Sequence, residues 1–168
     1  MIRGVLRRQD RAMDREACER LMDRALVGRV GTVGPDGWPY VTPVNFVHDA
    51  GPGRIYLHCA TSGHLLDNLA SSPLACFEVD EPGDILDTGP NLCETTQIYQ
   101  SVISFGRGSV LGDEGERLQA LRMFAMKYVD RLMPGRSYSQ GFPTAGATAV
   151  LAIQVEQMTG KARLPRAG

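Results

Sequence analysis

Between Gly28 and Cys59 the chain passes three times through residues that alternate in polarity, with only short turns between them, and this constrains the fold more than any other feature. The first run is 28–33 (GRVGTV), the second 38–47 (WPYVTPVNFV) and the third 54–59 (RIYLHC). Period-two alternation marks strands that bury one face. The links, Gly34-Pro35-Asp36-Gly37 and His48-Asp49-Ala50-Gly51-Pro52-Gly53, are made of turn formers and are too short for a crossover helix. Consecutive strands are therefore expected to run antiparallel, as a hairpin continued into a meander, and βαβ units are excluded here. Pro43 has no N–H to give to a ladder. Its strand should lie at an edge, at a bulge, or where neighbouring backbone groups face something other than a strand, such as a flat cofactor ring.

The third run opens the stretch around which the chain is organised, Arg54 to Val79. Its strand leads into Ala60-Thr61-Ser62-Gly63, then a short helix, then a strand starting after Pro73. The turn offers two hydroxyls and several backbone N–H groups at a helix start, where the helix dipole favours an anion, so it is a candidate phosphate seat. From Asp80 to Ile98 the composition predicts a long surface excursion. A fifth strand is expected over Tyr99–Leu111 and a sixth over Thr148–Gln157. Asp113 and Glu116 form a capping-box-like start to a helix carrying Leu118, Leu121, Phe124, Ala125 and Tyr128 on one face. The segment 131–146 reads as another loop. Asp14 caps an early helix through Cys18, Leu21, Met22, Ala25 and Leu26, preceded by a basic arm over residues 1–12. The expected architecture is mainly β with peripheral helices, a single domain over 1–168 built as a six-stranded antiparallel Greek-key barrel.

Composition excludes several classes. With 18 basic and 19 acidic residues the net charge is −1, which gives no electrostatic reason to bind nucleic acid or an anionic membrane. No apolar run approaches bilayer length and no signal-like apolar stretch follows the basic start, so a cytoplasmic protein is expected. The four cysteines are widely spaced, with no CxxC pair, and read as buried free thiols of a reducing compartment. Of the three histidines, His48 falls in a turn and reads as structural, whereas His58 and His64 flank the candidate phosphate turn. Neither has a second ligand at a recognised metal spacing, so no metal site is expected.

Several motifs in order extend this reading: Gly28-Arg29-Val30-Gly31-Thr32, Tyr40-Val41-Thr42-Pro43-Val44-Asn45-Phe46, Gly63-His64-Leu65-Leu66-Asp67-Asn68-Leu69, Cys76-Phe77-Glu78-Val79, Tyr99-Gln100-Ser101-Val102 and Thr159-Gly160-Lys161-Ala162-Arg163. Together they resemble the pyridoxamine 5′-phosphate oxidase-related flavin split barrels, and within them the nitroimidazole-resistance (Nim-type) branch. The resemblance runs from about Arg15 to Arg163. It implies an FMN-binding split barrel, a homodimer, and one flavin mononucleotide in a groove between the subunits. It further implies that Pro43, Val44, Asn45 and Phe46 present backbone groups to the isoalloxazine. His58, Cys59, Ala60 and Thr61 would run beside the flavin, and Ser62, His64, Leu65 and Asn68 would hold the phosphate side. Relatives commonly carry two adjacent basic residues where this chain has His64-Leu65. Lys161, with Arg163, could reach the partner's phosphate in their place. Trp38 reads as a packing or dimer-interface residue. The activity implied is transfer of electrons from a reduced nicotinamide to a small electron-poor acceptor, a nitro compound or quinone, with the segments 81–97 and 131–146 shaping access. Two alternatives stay open: a non-catalytic flavin or haem binder with His58 or His64 as axial ligand, and a deazaflavin enzyme.

Overall fold

The structure is a computed structural model that describes residues 5–87, 89–91, 94–131, 133–135 and 148–164. Its strands are β1 (Ala12–Met13), β2 (Gly28–Val33), β3 (Pro39–Val44), β4 (Phe46–Asp49), β5 (Arg54–Cys59), β6 (Leu74–Leu86), β7 (Thr96–Val110) and β8 (Ala149–Arg163). Three helices accompany them, α1 (Arg15–Arg24), α2 (His64–Ser71) and α3 (Glu114–Phe124), the last running on into a π-helical turn, Ala125–Asp130. Among the described residues no helix is long and apolar enough to cross a membrane.

The strands form one antiparallel sheet in the order β3-β2-β6-β7-β8-β5-β4, with β1 added beside β8. Its two edge strands, β3 and β4, are consecutive in the chain and separated by Asn45 alone. A sheet whose opposite edges are one residue apart has to curl almost onto itself, and the result is an unclosed, split barrel. The register shows the stagger this needs. Pro43 stands opposite Arg29, Arg29 opposite Glu78 and Glu78 opposite Ile103, whereas Phe46 stands opposite Leu57, Leu57 opposite Leu151 and Leu151 opposite Val110. Three residues of chain thus carry the register seven residues along β7, the shear that strand tilt imposes on a barrel. The expected meander is corrected here: the run 38–47 is two strands, and they belong to opposite edges.

Inside the barrel Val30, Phe46, Ile55, Leu57, Phe77, Val79, Leu151 and Ile153 form the main core, into which α1 inserts Cys18, Leu21 and Met22. Outside, Tyr56, Val47, Val150 and Ala152 pack under Ala120 and Phe124 of α3. Both predicted N-caps form: Asp14 accepts from Ala17 N–H and Asp113 from Glu116 N–H, each at 2.7 Å. The other end of α1 is met from across the molecule. Lys127 Nζ donates to Met22 O (3.0 Å), Arg131 to Arg24 O (3.2 Å) and Tyr128 Oη to Leu26 O (2.7 Å), so the π-turn supplies donors to carbonyls that a helix end leaves unpaired.

Three further expectations are corrected. Much of the predicted excursion 80–98 is strand: β6 runs on to Leu86 and β7 starts at Thr96, paired through Glu81–Gln100 and Leu86–Thr96 with an irregularity between Pro82 and Ile85. Residues 80–85 are exposed on both faces, so no alternation marks them as strand. The last strand does not stop at Gln157 but reaches Arg163, paired with both β7 and β1. His48 lies in β4 and not in a turn, buried beside α1. The segment 131–146 falls largely outside the described residues, as does Cys93; Cys18, Cys59 and Cys76 are free thiols, their pKa values pushed up by burial.

Candidate functional site

The chain leaves β5 at Cys59, crosses the exposed residues Ala60, Thr61, Ser62 and Gly63, and enters α2 at His64. Gly63 is the N-cap, with φ of 136°, a region L side chains rarely adopt, and with open space where a Cβ would stand. No side chain caps this helix, so its first-turn N–H groups stay open to a ligand next to the hydroxyls of Thr61 and Ser62. Asp67, also in the first turn, is the one acidic group there and opposes an incoming anion. Leu65 and Leu69 bury into the main core and fix the helix axis. Asn68 is buried as well, and its Nδ2 donates to Thr32 Oγ1 at 3.0 Å. Asn68 thus turns its amide to β2 and not to the open turn, and it fastens α2 to β2. Above this pair the exposed His64 ring lies 5.3 Å from that of Tyr40 in β3.

His58 and His64 flank the turn in sequence but meet different elements. Side chains alternate along β5, so Cys59 packs with Val44 and Leu66 against the interior core, while the His58 ring meets Phe124 of α3 edge-on at 4.6 Å. Burial lowers the His58 pKa. Val44, Cys59 and Leu65 are therefore brought together on the inner side, and His58 is separated from them.

At residues 43–46 the structure assigns most backbone groups. Gly34 N–H donates to Trp38 O, which places residues 38, 40, 42 and 44 in the hydrogen-bonded set toward β2. Pro39, Val41 and Pro43 then turn their backbone to the open edge, and of the three only Val41 carries an N–H, so two prolines blunt this edge. The edge placement expected from Pro43 holds. Phe46 differs from expectation: its N–H is not free for a ring, because it donates to Tyr128 Oη at 2.9 Å, and its carbonyl lies 2.8 Å from the same hydroxyl. Asn45 is exposed, and its Nδ2 donates to Leu26 O at 3.0 Å. Lys161 stands opposite Ser101, its Nζ 5.8 Å from the centroid of Tyr99. Twelve strand residues, about 40 Å of extended chain, separate it from Ala149, which pairs with Cys59. Within the protomer Lys161 therefore belongs to the far end of β8 and not to this turn.

Sequence reasoning missed Thr32, Tyr40 and Tyr128. Tyr40 was visible as the first core-side residue after the hairpin turn; nothing in the sequence marks Thr32 as the partner of Asn68 or Tyr128 as the partner of Phe46. It also missed the outer face of β3, β2, β6 and β7. There Val33, Val41, Leu74 and Ile103 are exposed together and, with Cys76 and Phe105, lie in or beside an apolar groove of about 330 Å³. Trp38, 74 % exposed, lies at its hairpin turn.

The profile of the pyridoxamine 5′-phosphate oxidase family matches residues 14–162. The chain belongs to this family. No curated protein matches the sequence significantly. Among solved structures of this fold, the flavocytochrome Anf3 from Azotobacter vinelandii is 27 % identical with a TM-score of 0.78, over 96 % of this chain and 73 % of that one. A candidate 5-nitroimidazole antibiotic resistance protein from Bacteroides thetaiotaomicron is 23 % identical with a TM-score of 0.75, over 90 % and 86 % of the two chains. An FAD- and heme-binding protein from Mycobacterium smegmatis is 23 % identical with a TM-score of 0.72, over 92 % and 75 %. At these identities the last two share the fold alone. The family and the mainly β split barrel agree with the resemblance read from the motifs.

Proposed function

We propose that this protein is a flavin-dependent oxidoreductase of the pyridoxamine 5′-phosphate oxidase family that binds FMN as a homodimer and reduces a small electron-poor acceptor, a nitro compound or quinone, with electrons from a reduced nicotinamide. The observation that carries the reading is the uncapped start of α2. It sets first-turn N–H groups, the hydroxyls of Thr61 and Ser62, and the His64 imidazole around one exposed turn in a chain of this family. That donor set fits a phosphate, with Asp67 as the one opposing charge. Held there, a flavin would supply the redox chemistry between nicotinamide and acceptor. The chain binds and orients it: Tyr40 and His64 wall the phosphate end, and Val41 N–H is the edge donor nearest the open side of β3. Support for a dimer comes from the exposed apolar face around Val33, Val41, Leu74 and Ile103, which a second subunit would cover, bringing its Lys161 toward this turn.

The test is reconstitution followed by turnover. Calorimetric titration should show FMN binding more tightly than riboflavin, and the loaded protein should oxidise a reduced nicotinamide when a nitroaromatic or quinone is added. Equal affinities for FMN and riboflavin would remove the phosphate seat, and lack of any flavin binding would remove the whole reading. A second reading, a haem- or flavin-holding protein without turnover, is favoured by His58. Partial desolvation beside Phe124 lowers its pKa and favours the neutral, ligating form, and the fold neighbours include a flavocytochrome and an FAD- and heme-binding protein. A Soret band on adding haemin that disappears in His58→Ala would establish it.

A further inference from the structure

Where α3 gives way to its π-helical turn, a cavity of about 310 Å³ opens between that turn, β4 and the end of α1. π-turns are rare and recur at functional sites. Val47, Met123 and Met126 form its apolar wall, Lys127 and Arg131 bring cationic groups to it, and His48 also lines it. Two of these are incompletely satisfied. The His48 side chain is 1 % exposed and neither ring nitrogen has a hydrogen-bond partner, the Asp23 carboxylate standing 3.9 Å from Nδ1. An imidazole carries at least one N–H in either of its common forms, so a buried donor is unpaired; both nitrogens are closed to solvent, so His48 shapes the cavity wall and gives no hydrogen bond to what enters it. Lys127 gives one N–H to Met22 O and lies 3.8 Å from the centroid of Phe46. The third ammonium hydrogen has no partner among the described residues. Burial pulls the Lys127 pKa down to about 8, so at neutral pH it remains a mostly charged but poorly solvated cation. Asp23, with its side chain 69 % exposed, is the one carboxylate in the lining and stays with solvent.

We infer that this cavity binds a small organic carboxylate, with the anionic head between Lys127 and Arg131 and the apolar body against Val47, Met123 and Met126. Two fixed cations disfavour a metal ion, and the volume suits a compact ligand. The site is separate from the α2 turn and stands whether or not flavin binds there.

Titration of the full-length protein with benzoate at neutral pH should give saturable binding, and benzyl alcohol, the same body without the charge, should bind about tenfold more weakly or worse. Met126 is 66 % exposed at the rim, so Met126→Glu leaves the fold intact while adding a repelling carboxylate. It should weaken benzoate about tenfold, and Met126→Gln only about twofold or less. Lys127→Met should abolish binding, with thermal unfolding as the check that α1 remains docked. No saturable heat with benzoate, equal affinities for benzoate and benzyl alcohol, or an unchanged affinity in Met126→Glu would overturn the assignment.

Discussion

Replacing Tyr128 by Phe tests what holds the split of the barrel in register. β3 and β4 are both edge strands, and the groups of Phe46 that would have paired across a closed sheet are met instead by one phenol. Tyr128 Oη accepts from Phe46 N–H at 2.9 Å and lies 2.8 Å from Phe46 O and 2.7 Å from Leu26 O. With one hydrogen, it donates to one of the two carbonyls at a time. Tyr128→Phe therefore removes one accepted and one donated bond, each worth about 1 kcal/mol net, and leaves the N–H of a fully buried residue unpaired at a further ~1–3 kcal/mol. The ring itself stays stacked on Phe124, with centroids 5.8 Å apart, so no cavity opens and the cost is that of the hydroxyl alone. The sum, reduced for partial rescue by water, is about 2–3 kcal/mol, which for a chain of this length lowers the thermal midpoint by roughly 4–12 °C. Calorimetry on wild type and variant measures it directly. A loss below about 0.5 kcal/mol would mean that the phenol does not hold the seam.

Four other outcomes follow from the same geometry. Gly28→Ala would set a Cβ 2.1 Å from Phe77 Cζ, a fully buried ring packed edge-on against Phe46, so urea denaturation should show a loss of about 1–3 kcal/mol. Val41→Glu, on a side chain 60 % exposed in the single chain, should leave the protomer folded but shift sedimentation from dimer to monomer and weaken FMN, whereas an unchanged dimer would place the interface elsewhere. His64→Arg should tighten FMN and His64→Ala weaken it, each by about tenfold, with riboflavin affinity unmoved in both. Burial holds the His48 and His58 pKa values below the ordinary imidazole value, against Asp23, Glu19 and Asp49 and with Arg15 at His48. Stability is then full above the unfolded-state value of about 6.5 and falls as pH drops toward the lowered folded values. The urea midpoint should decline from pH 7.5 to pH 5.5, and His48→Phe should shrink that decline.

How far each feature could be read from the sequence follows from what buries it. Strand β2 and the start of β6 have one face in the core, so 28–33 and 74–79 alternate, whereas β5 buries Ile55, Tyr56 and Leu57 on both faces and is legible as a short apolar run bounded by turn formers. The arm formed by 80–86 and 96–100 buries little of either face, and nothing in its composition distinguishes it from loop. The caps at Asp14 and Asp113 were legible because an N-cap is a local bargain between one side chain and an N–H three residues on. The candidate site is assembled by terms that are not local. Asn45 reads as one more strand residue, yet it is where the chain steps from one edge of the sheet to the other, and only the shear of the whole barrel requires the step there. The same shear decides that Cys59 and Val44 share the interior while His58, one residue away, meets α3. Residue types near a turn can therefore nominate a phosphate seat, because helix starts and hydroxyls act over a few residues. Which histidine serves it depends on strand parity, and a one-residue shift in the pairing of β5 would exchange the faces of His58 and Cys59. His64 escapes this dependence: it sits on α2, whose axis is fixed by Leu65, Leu69 and the Asn68–Thr32 bond, and so it is the histidine whose substitution most directly tests the seat.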